Sequence, residues 1–288
     1  MGRRMINVGW AAAVCSIALI ALSAGVSAES SSPRASTDPV SAALAAWSHF
    51  PVDASSSPLV LIDGDNVNAP ILGFPSDGTK LAYDDGTFRA PSRFPAVPQS
   101  AAGFQLVSSQ YAFNALKDAA TPGPPAAAPL VVTSVTLGTG IFATDRGRRT
   151  LPAWLFAFQG VENPAQVLAV SPRRIFAPPH RIVVQAPMSE NFPTVGSATL
   201  APNHRTLTVG FAGAPEGTGP CEATYSLSVG ASRTAVAAVV HVVTYYRGDA
   251  GCLLQASFNQ LTTTLAAPLG NRVVVEADSV TAVPAESQ

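Results

Sequence analysis

Residues 234–246 read TAVAAVVHVVTYY, and both the odd and the even positions of the run are apolar. A strand that packs on one side alternates apolar with polar; one that is apolar on both sides must be covered on both. This run is therefore expected to lie centrally in a sheet packed on each face. Runs of similar character surround it: TLTVGFAG (206–213), EATYSLSV (222–229), LLQASFNQLTTTL (253–265) and RVVVEA (272–277), separated by Gly, Pro or Asp turns. Short β-rich runs at this spacing predict a mainly β chain of antiparallel, sandwich-like sheets.

The earlier part of the chain mixes two short helices into the same pattern. Asp38 followed by Pro39 is a capping residue before a proline at the first helical position, and Val40, Leu44 and Trp47 then recur at helical spacing. A helix over 39–49 is expected, with Trp47 as a core anchor. A second is expected over 109–118, with Ser109 as its cap. LVLI, ILGF, KLAY and TFRA between Leu59 and Ala90 read as short strands, and Asp84-Asp85-Gly86 as the turn of a hairpin. Residues 130–144 and 150–159 form the longest strand-like pair, joined by the charged tip Asp145-Arg146-Gly147-Arg148-Arg149. VLAV (167–170) and RIVVQA (181–186) continue the series, while the proline-rich 121–129 is a surface connection.

The first residues carry Arg3 and Arg4, an apolar stretch from Val8 to Val26, and Val26-Ser27-Ala28, the small-x-small pattern of a signal-peptidase site. The expected organisation is a signal peptide at 1–28, a polar tether at 29–37, a β-rich region with short helices at 38–186, and a sandwich-like region at 187–284. The last two can pack as a single domain. A secreted or extracytoplasmic location follows, with membrane attachment only if the leader stays uncleaved. Two cysteines then remain, Cys221 and Cys252. An isolated pair in an oxidising compartment, without His or Cys at metal-ligand spacing, points to one disulfide.

Signatures of chemistry are scarce. G-x-S-x-G, S-x-x-K with its partner motifs and H-E-x-x-H are all missing from the sequence, which leans against an enzyme, and no cofactor is implied. A net charge of −1 excludes bulk nucleic-acid binding, which needs a basic footprint. His241, in the most apolar run, is expected to be a core histidine bonded to a neighbour. The Asp63–Asn68 stretch starts like a calcium loop, but Val67 and Asn68 stand where an oxygen ligand and a glycine are needed, and a turn is expected instead. Arg146, Arg148 and Arg149 form a candidate anion-binding patch for phosphate-bearing wall polymers.

The strings TDRGRRTLPAWLF (144–156), WSHFPVDA (47–54) and TLAAPLGNRVVVEA (264–277) resemble stretches that recur in exported proteins of high-GC actinobacteria with no assigned function. The resemblance implies export and carries over no catalytic residue. A binding or accessory role at the cell envelope, with an envelope polymer or protein as partner, is the leading expectation. A secreted hydrolase with a dispersed site is the alternative.

Overall fold

The computed structural model describes residues 38–53, 58–70, 73–121, 128–178, 193–245 and 256–288. Helix α1 (Pro39–Ala46) opens the described chain. Strand β1 (Val67–Asn68), helix α2 (Asp77–Asp84), the short strands β2 (Phe88–Arg89), β3 (Ser100–Ala101) and β4 (Phe104–Gln105), and helix α3 (Ser109–Asp118) follow. The long strands β5 (Leu130–Thr144) and β6 (Gly147–Phe158) and the shorter β7 (Ala165–Leu168) complete the first half. The second half contributes β8 (Val195–Leu200), β9 (Thr206–Gly213), β10 (Ala223–Ala231), β11 (Ala235–Tyr245), β12 (Ser257–Thr264), β13 (Val273–Glu276), β14 (Thr281–Val283) and β15 (Ala285–Ser287). The protein is mainly β, and residues Thr37–Gln288 gather into one compact unit. Among the described residues no helix is long and apolar enough to cross a membrane.

Two four-stranded sheets, in the orders β10-β11-β13-β14 and β12-β9-β8-β15, face one another. Val236, Ala238 and Val240 of β11 and Val274 of β13 share one core with Leu207, Val209 and Phe211 of β9. Most pairings are antiparallel, but β11–β13 and β8–β15 are parallel. The alternate residues of β11, Ala235, Ala237 and Val239, pack on Val40, Ala43 and Trp47 from α1 and the turn after it. The doubly apolar run is thus a central strand covered on both faces.

Close approach of α1 depends on Gly230 in β10, where a Cβ would collide with the Val40 side chain. Trp47 is fully buried and donates its indole N–H to Val280 O at 3.0 Å. The Asn271 amide donates to Val52 O at 3.1 Å. Both bonds tie residues 38–53 to the C-terminal sheet. The turn that presents Val280 is held by buried Glu276, whose carboxylate accepts the backbone N–H groups of Asp278 and Ser279.

The third sheet has the order β1-β7-β6-β5-β2. One face carries Trp154, Phe156 and Phe158 against Tyr83 of α2 and Phe113 and Leu116 of α3. The other buries Leu59, Leu61, Phe142, Leu151 and Val170. This sheet curls until residues 59–68 reach both of its edges. β1 pairs with β7 on one side, while Leu61 bridges Thr144 of β5 on the other.

Four local expectations change. KLAY is helix and not strand: it lies in α2, whose Ser76 cap accepts Thr79 N–H at 3.2 Å. Asp84-Asp85-Gly86 ends that helix instead of turning a hairpin, with Gly86 in the left-handed region at φ 68°. Ala82 and Tyr83 are adjacent and both buried, a pattern that a helix allows and an alternating strand does not. α1 stops at Ala46, short of His49, and α3 is capped by Ser108 and not Ser109. Ser109 instead turns inward and donates to Pro95 O at 2.9 Å.

Trp47→Ala is expected to destabilise the protein by about 3–5 kcal/mol. Trp47→Phe should cost about 1–3 kcal/mol through the unpaired Val280 carbonyl. Urea unfolding measures both, and a neutral Trp47→Ala variant contradicts the anchoring of residues 38–53 on β11.

Candidate functional site

The curl of the five-stranded sheet leaves a seam where its two edges meet, and a groove of ≈ 880 Å³ opens along it. Closure here is made by a side chain and not by a backbone ladder: Asn68 Nδ2 donates to Ile141 O on β5 at 2.9 Å. The same amide nitrogen lies 3.4 Å from Gln166 Oε1 on β7. Asn163, Gln166, Thr139 and Thr150 line the groove with amides and hydroxyls, Ile141 supplies an apolar contact, and Arg148 is the only charged side chain among the described lining residues. Ile141 is 50 % exposed.

Gly140 makes the floor. A Cβ there would stand 2.7 Å from Gln166 Oε1 and 2.9 Å from the Phe142 ring, so any larger residue displaces the amide from the seam. Gly138, two residues back, gives Leu155 the same clearance on the same face. Glycines inside a strand signal close approach of another group, and this pair is the sequence trace of the groove. The partners Asn68, Asn163 and Gln166 carried no such signal, because lone amides in loops and short strands are common.

The three candidate arginines are placed differently by the fold. Arg146 is bound by the fold: its guanidinium contacts the Asp145 carboxylate at 3.2 Å and donates to Gly270 O and Arg272 O at 3.2 and 3.1 Å. The hairpin tip is accordingly not a solvated end. Asp145 is 4 % exposed, its N–H bonds Val60 O, and its carbonyl accepts Ala285 N–H from β15. Gly147, at φ 79°, allows Glu286 to lie against the turn. Arg148 reaches the groove, whereas Arg149, next along the strand, points to the opposite face, where its charge acts on Asp145.

Cys221 precedes β10 with a positive φ of 69°, in a loop that Asn259 and Tyr225 hold by donating to Ala214 O at 2.9 and 2.8 Å. Cys252, with which Cys221 is expected to pair, lies outside the described residues. His180 and RIVVQA also lie outside them. His241 is exposed, contrary to the expectation of a core position, because β11 outruns the eight-residue α1 that covers it. Its Nε2 is 3.1 Å from Ser228 Oγ. Among the described residues no carboxylate stands within ion-pair distance of the ring. His49 and His204 are exposed in turns. Asp65 and Asp84, from the two acidic clusters, line a second cavity, and no group of three or more metal-ligating residues forms among the described residues.

Burial pushes the Asp145 carboxyl above the usual carboxylate range, against the opposing pull of Arg146 and the Val60 hydrogen bond. The folded state then holds the proton more tightly than the unfolded chain, so ionisation of Asp145 opposes folding. Its contribution is fully present below the unfolded carboxylate pKa and is lost as pH rises through the raised folded value. Relative to Asp145→Asn, the native protein should therefore gain stability between about pH 7 and about pH 4. Urea midpoints at the two pH values measure the difference, and a gap that moves in favour of the variant contradicts this assignment.

No family model, curated protein or solved structure matches this chain.

Proposed function

We propose that the protein is a secreted or cell-envelope-associated binding protein that holds a polar envelope polymer, of the phosphate-bearing kind, in the seam groove. The observation that carries the reading is the lining: amides and hydroxyls with Arg148 as the one described cation, in a half-open groove. Amides and hydroxyls recognise a hydrogen-bonding chain of sugar or polyol units. An arginine adds a fork for phosphate or carboxylate oxygens. A groove of this volume falls within the ordinary range for ligand sites, about 300–1,000 Å³. Export rests on Arg3, Arg4, the apolar stretch and Val26-Ser27-Ala28.

Co-sedimentation of the mature protein with a purified wall-polymer preparation tests the reading, run with the polymer intact and after chemical removal of its phosphate. Loss of one charge-assisted contact predicts about a tenfold weakening for Arg148→Ala. Arg149→Ala should leave binding unchanged. Equal loss in both variants, or retention of full binding by Arg148→Ala, contradicts the site.

Export and the pairing of Cys221 with Cys252 belong to the same proposal. Intact mass of protein recovered from culture medium is expected to start at Glu29, with no alkylation before reduction. Cys252→Ser should lower the melting temperature by several degrees. An uncleaved chain confined to membranes, or a chain alkylated at two cysteines without reduction, contradicts it.

A further inference from the structure

The second cavity, ≈ 510 Å³, lies where the ends of α2 and α3 meet residues 65–69. The two helix ends touch: a Cβ on Gly86 would stand 2.7 Å from the Ala120 Cβ, and Thr121 N–H bonds Asp84 O at 2.8 Å. Both helices thus turn their carbonyl ends, the negative poles of their dipoles, toward one place. That place also holds the carboxylates of Asp65 and Asp84, and its described lining includes no cationic side chain. Among the described residues neither carboxylate has an ion-pair partner. An acid at a helix C-terminus works against the dipole, and α2 ends on Asp84 with no basic residue in its last turn. Such a local conflict is the kind that a functional site retains.

Tyr83 is an independent indication of a ligand. Its side chain is packed among Phe74, Phe88 and Phe158 and only 8 % exposed, yet its hydroxyl has no hydrogen-bond partner among the described residues. Every fully buried side-chain polar atom in the described structure is partnered. The unpartnered hydroxyl is therefore not fully enclosed, and Tyr83 is among the residues that line the cavity. Burial and the neighbouring Asp84 charge both push its ionisation up, so it remains a neutral phenol able to accept or donate one hydrogen bond.

We infer that this cavity binds a primary ammonium ion carried on a short hydrocarbon body. The ammonium donates to the Asp84 and Asp65 carboxylates and to the Tyr83 hydroxyl oxygen, while the hydrocarbon lies on Leu116, Ala119 and Ala120. A divalent cation fits less well, since among the described residues no three ligating acids, histidines or cysteines converge, and the Leu116, Ala119 and Ala120 side chains offer hydrocarbon instead of oxygen. The inference stands independently of the seam groove, which is lined by other side chains apart from the shared Val67 and Ala69.

The test is a calorimetric or NMR titration of the mature protein with n-butylammonium chloride, with n-butanol and calcium chloride as separate arms. Saturable binding of the amine alone is expected. Asp84→Asn should weaken it about tenfold. Tyr83→Phe, which keeps the ring, should weaken it about threefold while leaving the unfolding midpoint unchanged or higher. Asp65→Asn, at an exposed position, provides a second charge removal that does not disturb the core. Equal binding of n-butanol, displacement of the amine by calcium, or undiminished binding in both Asp→Asn variants overturns the proposal.

Discussion

Two-sided burial of β11 is the constraint from which the rest of the architecture follows. Its even residues complete the sandwich core with β9, and its odd residues require a cover that the two facing sheets do not provide. Residues 38–53 supply that cover through Val40, Ala43, Trp47 and Phe50. The chain that precedes the five-stranded sheet is thus committed to the C-terminal sandwich before that sheet begins. The β5–β6 tip closes the same circuit from the other side, through Asp145, Arg146 and Gly147 against residues 270–272, Ala285 and Glu286.

Much of this was legible in the sequence where one physical signal dominated. Strand 206–213 is found at its expected bounds, and the doubly apolar run takes the central position its pattern requires. Misreadings arose where one signal had two meanings. Asp-Gly marks a hairpin or a helix end, and only the Ser76 cap upstream of KLAY distinguishes them. The composition of its strand predicts a core position for His241, but its exposure depends on where α1 stops. The parallel pairings of β11 with β13 and β8 with β15 lie between segments distant in sequence, which periodicity does not address.

The site was less legible because it arises from curvature. Nothing local to Asn68 shows that it will meet Ile141 across a seam; the curl of the sheet brings them together. Three arginines within four residues looked like one anion patch, yet strand alternation and the packing of the tip assign them separate tasks. Arg146 fastens the fold, Arg149 lies near Asp145, and Arg148 alone faces the groove. Among the described lining residues this leaves one cation beside amides and hydroxyls, and the proposed ligand is accordingly a polar polymer with sparse negative charge.

Hydrogen exchange of the mature protein, with and without the phosphate-bearing wall polymer, tests the central claim that the seam is the binding surface. The account predicts slowed exchange in peptides covering residues 66–70, 139–150 and 163–166, with the sandwich strands unchanged. Slowing confined to other regions, or none under conditions where the polymer binds, contradicts it.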